Sequence, residues 1–349
     1  MTACQRPAAA GLVGTFYTPR SVPRFALDYD PMATDPGRWG HSLGNLAELW
    51  VPCLDAATPR TVIEVGAYAG DVTRILLEWA QPAGAHVLSI DPNPEDALVE
   101  LSEASPHLDL VRETSHAALP ALPAADAYVI DGDHNYYTVH EELQLIAARS
   151  DRTMPLVLCH DVCWPHARRD SYYTPQQIPS DHRQPIAEGC YLYPGVIGTH
   201  DGGLIYHYAA REEGGPRNGV LTAVEDFLDG RDELRFALVP AFFGLGVIWA
   251  CNAPYADALE EILGPWDRNP VLARMEANRV LQLASREREA IRAAWCRDES
   301  ERKNELLRKL DQSGTFSVAV ALSRVRQRGE PAFTKDEVRR LLPEYRPCG

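Results

Sequence analysis

The side chains best able to do chemistry lie in two short stretches, Asp131-Gly132-Asp133-His134 and His160-Asp161. Each follows an apolar run with the length of a buried strand, Asp126 to Asp131 and Pro155 to Cys159. Neighbouring parallel strands would bring two such tips to about 5 Å from one another. A divalent ion could then be chelated by Asp131, Asp161 and either His160 or Asp133, with coordination positions left open for substrate oxygens. Two other readings of the same residues exist. Acids and histidines at strand tips also cap helices or line polar pockets. Cys159, His160, Cys163 and His166 together offer a zinc-type donor set. Their spacing is not a CxxC pair, and Cys159 falls inside the apolar run Pro-Leu-Val-Leu-Cys.

A second chemical signal precedes these clusters. Thr61 to Thr73 reads TVIEVGAYAGDVT: an apolar run with an acid near its end, then glycines at Gly66 and Gly70, then an acid opening a helix. Glycines at such a corner allow a sharp bend and close approach of backbone to a ligand. The spacing is not G-x-G-x-x-G. Asp71 also places negative charge at the helix N-terminus, where a pyrophosphate would otherwise bind. A cationic cofactor suits this corner better than a dinucleotide. Further on, His86 to Asp91 reads as a second strand ending in an acid, the position that grips ribose hydroxyls in such folds.

With Glu64, Gly66 and Gly70 in the pattern E-x-G-x-x-x-G, the chain resembles the class I S-adenosylmethionine-dependent methyltransferases. The acids at the fourth and fifth strand ends are similar to those of the metal-dependent macrolide-sugar O-methyltransferases and the related cephalosporin-hydroxylase-like proteins. There an Asp and a Glu-Asp pair supply magnesium ligands. His160 stands where that group has Glu, and imidazole shifts the preference from magnesium toward manganese, iron or zinc. The resemblance implies S-adenosylmethionine as cofactor, with a divalent metal, Mg or Mn, held by Asp131, His160 and Asp161. It implies that Glu64 meets the cationic methionine end, that Gly66, Tyr68 and Gly70 contact the cofactor, and that Asp91 accepts the ribose hydroxyls. Ser115 falls at the expected adenine edge, and Asp131 borders the cofactor as well.

Methyl transfer to a hydroxyl is an in-line attack that needs alignment and the removal of one proton. His134 is the first choice for that base, with Asp131 as its catalytic companion. It lies just beyond the strand tip, its unperturbed pKa of about 6.5 suits the task, and the resembling enzymes use a histidine there. The other reading of His134 is a helix-capping or metal-ligating one.

The resemblance spans roughly Thr58 to Cys251. Alternating apolar runs and helical patterns from Thr58 onward predict βαβ units and a parallel sheet. Arg235 to Pro240 and Phe243 to Ala250 then predict a hairpin. The expected class is α/β: a Rossmann-like methyltransferase sheet, mostly parallel with a final antiparallel hairpin, plus an N-terminal cap and C-terminal helices. The expected divisions are a cap over residues 1–57, a core over 58–254 holding a substrate-loop insertion at 162–218, and a helical extension over 255–349. The cap includes Tyr17, Tyr29 and Trp39, which would pack on the core or touch ligand.

The insertion is too long for a simple connector and follows a central strand, where α/β folds bind ligands. Arg168-Arg169-Asp170, Tyr172-Tyr173, His182-Arg183 and His200-Asp201 offer donors and stacking faces for an acceptor, or ties for the loop itself. Asn218 in Gly214-Gly215-Pro216-Arg217-Asn218-Gly219 reads as a helix N-cap. These segments are similar to those of actinobacterial methyltransferases found beside glycosyltransferases, which implies specialised glycoside metabolism and antibiotic biosynthesis.

The expected function is O-methylation of a small, glycosylated or polyhydroxylated metabolite. N-methylation of a small amine and an inactive binding protein are the alternatives. A net charge of −15 argues against a nucleic-acid partner. The first twelve residues lack a signal-peptide pattern, and no window approaches 18 apolar residues. A cytoplasmic protein without a membrane partner is expected. The cysteines show no dense framework and look like small buried hydrophobes. The helical tail would pack on the core or mediate a homodimer.

Overall fold

A computed structural model of the chain describes residues 42–150, 153–327 and 334–342. Tyr17, Tyr29 and Trp39 lie outside the described residues. The apolar runs of the sequence become β1 (Thr61–Val65), β2 (His86–Ile90), β3 (Leu108–Val111), β4 (Ala127–Ile130) and β5 (Leu156–His160). They pair in parallel. Two more runs, β8 (Leu234–Val239) and β9 (Leu245–Ala250), complete a seven-stranded sheet in the order β3-β2-β1-β4-β5-β9-β8. β9 is antiparallel to both β5 and β8. The expected mostly parallel sheet with a final hairpin is therefore what the chain forms.

Burial explains why the central strands read as unbroken apolar runs. Every residue of β4, β5 and β9 is buried, because both faces of the sheet are covered. The covering helices are α1 (Ala47–Ala57), α2 (Asp71–Ala83), α3 (Asp96–Ala104), α4 (Ser115–Ala121), α5 (Tyr136–Ala148), α6 (Val220–Leu228) and α7 (Ala256–Leu263). Trp50, Leu54, Leu76, Leu143, Phe227 and Leu259 carry their apolar faces into one continuous core.

The chain divides after Ala284 into two units. The first holds the sheet and its helices. Helix α8 (Pro270–Gln312) is 43 residues long and buries only Glu276, Val280 and Ala284, all in its first half. The second unit contains the rest of α8, then α9 (Gly314–Gln327) and α10 (Lys335–Leu341). A reciprocal Thr334–Glu337 capping box starts α10, and Arg339 pairs with Asp311 at 2.9 Å. No helix among the described residues is long and apolar enough to cross a membrane.

The insertion is more regular than its Pro- and Gly-rich composition suggests. It contains an antiparallel hairpin, β6 (Ile186–Leu192) and β7 (Leu204–Ala210), separate from the main sheet. The charged motifs tie it down. Arg168 forms a two-pronged bridge to Glu225 of α6 at 2.5 and 2.8 Å, and Arg169 is buried, donating to the carbonyls of Ala210 and Ile197. Asn218 does not cap α6, whose N-cap is Gly219. Its side chain instead accepts the Asp170 N–H at 2.7 Å and donates to the carbonyls of Glu212 and Gly214. A tertiary partner outcompeted the local capping role.

Asp170 is the hub of this arrangement. Fully buried, it accepts the N–H groups of Tyr136 and Gly219, each at 2.7 Å, and the Tyr172 hydroxyl at 2.8 Å. Burial pushes its carboxyl up to about 6, while those three donors pull the other way. Removing it strands three buried donors at roughly 1–3 kcal/mol each. Asp170→Ala should therefore destabilise the fold by about 3 kcal/mol or more in urea unfolding. Asp170→Asn, which keeps an acceptor, should lose clearly less.

Candidate active site

The strand order reverses between β1 and β4, so a crevice opens at the carboxyl ends of the central strands. At its β1 side, Glu64 is buried and accepts the hydroxyls of Thr73 and Ser89 at 2.7 and 2.5 Å. Burial pushes its carboxyl up to about 7. The two hydroxyl bonds oppose that rise, and the charges of Asp131 and Asp91 add to it. Gly66 and Gly70 both take left-handed conformations, at φ +86° and +82°.

The reason Gly66 must be glycine differs from the expected one. A Cβ there would lie 2.1 Å from the Asp131 carbonyl oxygen and 2.5 Å from the Gly132 Cα. The approach that forbids a side chain is thus that of the β4 tip, rather than that of a ligand.

Tyr68 stands between the two glycines with φ +44° and a 61% exposed side chain. Its N–H donates to Asp91 Oδ2 at 2.8 Å, and Asn93 N–H donates to Asp91 Oδ1 at 2.8 Å. Asp91 is thereby oriented at the end of β2 with lone pairs remaining on both oxygens. Ser115 is buried in the first turn of α4.

The acid and imidazole clusters do converge. His160 Nδ1 lies 2.9 Å from Asp131 Oδ1 and 3.5 Å from Asp161 Oδ2. Its Nε2 meets the Phe242 carbonyl at 2.8 Å. A carbonyl only accepts, so Nε2 carries a proton and Nδ1 is the nitrogen turned to the carboxylates. Burial would push the ring down, but Asp131 and Asp161 overcome it and lift His160 to about 9. Asp161 sits at φ +61°, a strained backbone state for a non-glycine residue at the end of a strand. Burial would raise its carboxyl, yet His160, His134 and His166 hold it well below the usual carboxylate range.

His134 Nε2 comes within 2.7 Å of Asp161 Oδ2 and 3.8 Å of Asp131 Oδ1. The closer contact is out of line for a hydrogen bond and leaves His134 Nε2 buried without a partner; Asp161 Oδ1, the other carboxylate oxygen, is buried without one as well. Burial opposes charge on His134, but Asp161, Tyr173 and Asp131 raise it well above the usual imidazole value. Asp133, a candidate ligand by spacing, is not in this group. It accepts from Asn135 Nδ2 at 2.7 Å and from the Tyr173 N–H at 3.1 Å, so it ties the insertion to the start of α5.

Sequence reasoning placed His166 only in the zinc-type set with Cys159, His160 and Cys163, whereas the structure sets it beside His134 and Asp161. Its ring lies 4.5 Å from that of His134, between the hydroxyls of Ser171 and Tyr206 at 3.2 and 3.3 Å. Among the described residues the fold brings together two groups whose donor atoms lie within 4.8 Å of one another: Asp131, His160 and Asp161, and His134, Asp161 and His166. Cysteine enters neither. Cys159 lies inside β5, and burial pushes the Cys163 thiol up to about 12.

Residues 63–162, from β1 to just past β5, match the model of a methyltransferase domain. The protein is an S-adenosylmethionine-dependent methyltransferase. No curated protein matches the chain in sequence. Among solved structures, the Podospora anserina methyltransferase PaMTH1 in its SAH-bound form shares 16% identity at a TM-score of 0.38, over 62% of this chain and 83% of that one. A Geobacter sulfurreducens methyltransferase shares 13% identity at 0.33, over 59% and 77%. Such distant likenesses add nothing to the geometry of the methyltransferase site.

That geometry fits the cofactor. S-adenosylmethionine carries a sulfonium and an ammonium and no phosphate, and the crevice is fenced by Glu64, Asp91 and Asp131. Its cationic end next to Glu64 would favour the ionised carboxylate. Burial keeps Glu64 protonated up to about pH 7 in the free protein, so a cation bound against its carboxylate would release that proton below this pH. Affinity for S-adenosylmethionine should therefore rise with pH toward 7 and level off above it. Calorimetry in buffers of different ionisation enthalpy should find proton release at pH 6 that fades by pH 8, and Glu64→Gln should abolish that dependence.

Proposed function

We propose that this methyltransferase passes a methyl group to an oxygen of a small polyhydroxylated or glycosylated metabolite, with a divalent cation held by Asp131, His160 and Asp161. One observation carries the reading. Two carboxylates and an imidazole from adjacent strand ends lie close enough to share one ion, and Asp161 Oδ1 is buried with no hydrogen-bond partner. The His160 arrangement supports it, because a ligating histidine commonly donates its other ring N–H to a carbonyl. Three protein donors leave positions for acceptor oxygens.

Bound there, a divalent cation would lower the pKa of an acceptor hydroxyl and fix its orientation. S-adenosylmethionine supplies the electrophilic methyl. His134 is the proposed base, at the border between the donor cluster and the exposed Tyr173, whose ring lies 5.6 Å from its own. While the carboxylates face it uncompensated, its ring stays protonated and cannot accept a proton. Positive charge shared among Asp131 and Asp161 would lower that affinity and free the Nε2 lone pair. Base and cation therefore depend on one another. Tyr173, 72% exposed at this edge, offers a face on which an acceptor ring can stack. The acceptor's origin in specialised glycoside metabolism rests on the resemblance of the insertion's motifs.

Full-length protein stripped of metal should bind one equivalent of Mn(II), and Asp131→Asn should abolish that binding. In cells, deleting the gene should make one metabolite lose a methyl group. Wild-type protein should restore it, whereas His134→Ala, expected to slow proton removal by about 10²- to 10⁴-fold, should not. Unchanged turnover after exhaustive metal removal would refute the cation. Full restoration by His134→Ala would refute the base.

A further inference from the structure

The turn joining β8 to β9 is strained in a way that a hairpin does not require. Phe242, Phe243 and Gly244 are three consecutive residues in the left-handed region, at φ +49°, +66° and +96°. Hairpins place Gly, Asn or Asp at such positions, because a bulky side chain there is unfavourable. Two phenylalanines persist only where the surroundings over-determine the backbone.

Those surroundings are visible. The Phe243 N–H donates to Glu276 Oε1 of α8 at 2.8 Å, and the Phe243 carbonyl accepts the Cys163 N–H at 2.6 Å. Gly244 admits no side chain, since a Cβ would lie 2.6 Å from Cys163 Sγ and 2.9 Å from its backbone nitrogen. Glu276 is itself buried and gripped by Arg279 through two bonds of 2.7 Å, and the Arg279 guanidinium lies over both phenylalanine rings at 5.2 and 4.8 Å. What this bracing delivers is the Phe242 carbonyl, held 2.8 Å from His160 Nε2.

We propose that Glu276, clamped by Arg279, is a positioning residue: through the β8–β9 turn it locks the His160 ring so that Nδ1 is presented to Asp131 and Asp161. It touches no reacting atom and acts through the turn and the ring. A freely turning imidazole would offer either nitrogen to the carboxylates and would pay an ordering cost on ligation, whereas a ring tethered at Nε2 does not. The consequence for cation affinity rests on the reading above, but the locking of the ring does not.

The test separates the two. In full-length protein labelled with ¹⁵N-histidine and free of metal, the His160 Nε2–H should appear as a slowly exchanging signal, assigned by its loss in His160→Gln. Co(II) titration of the same protein gives the affinity. Glu276→Ala should abolish the exchange protection and weaken Co(II) binding by about 10- to 100-fold, the usual effect of an outer partner of a ligand. Glu276→Gln, which keeps an acceptor for the Phe243 N–H, should recover most of both. Should Glu276→Ala fail to fold, Arg279→Met, which removes one side of the clamp, is measured in its place with the same expected losses. Absence of the protected signal in the wild-type protein would overturn the proposal. So would unchanged protection and affinity in a variant that melts like wild type, or a Gln variant that recovers nothing. A protected signal without Co(II) binding would instead uphold the lock and defeat only the cation reading.

Discussion

Charge buried at the ends of two neighbouring strands is the constraint around which this molecule is arranged. Asp161 and His160 are both almost fully shielded from water, and Asp131 is mostly so. An isolated carboxylate in such a place would abandon its charge. Asp161 keeps it because three imidazoles approach from different parts of the chain. His160 comes from its own strand, His134 from the loop after β4, and His166 from the insertion. The antiparallel addition of β9 beside β5 then supplies the carbonyl that takes up the far side of the His160 ring. A plain parallel sheet would have no turn at that place.

The same economy governs the insertion. Asp170 and Asn218 lie near its two ends and bind each other's backbone or neighbours, while Asp170 also accepts the N–H of Tyr136, two residues beyond His134. One buried carboxylate thus fixes both the insertion and the start of the helix that follows the proposed base. Mobility in one would be felt in the other. Tyr173 and Asp133 extend the link, since the Tyr173 backbone is held by the Asp133 side chain.

Much of this was legible in the residues. The β1 to β5 runs and the closely spaced final pair could be read because buried strands in a covered sheet are short and uniformly apolar. Acids and imidazoles just past two such runs had to meet once the runs were adjacent. Other features carried no local signal. Composition pointed to an irregular insertion, yet β6 and β7 form a regular hairpin whose pairing depends on residues far apart. Tyr206 joins the centre through His166, from a position 40 residues away. Asn218 had the type and place of a helix cap, and a backbone N–H 48 residues away claimed it instead.

By itself the chain determined which strands form, which of their ends carry charge, and that a cationic ligand suits the glycine corner, because periodicity, side-chain type and short spacing are local properties. Only the tertiary structure decided which nitrogen of His160 faces the carboxylates, why Gly66 has no room for a Cβ, and that a distant helix braces the β8–β9 turn. Those outcomes depend on contacts between segments whose separation no pattern records. Burial then raises the energy of every unmatched polar group and selects a single arrangement among them.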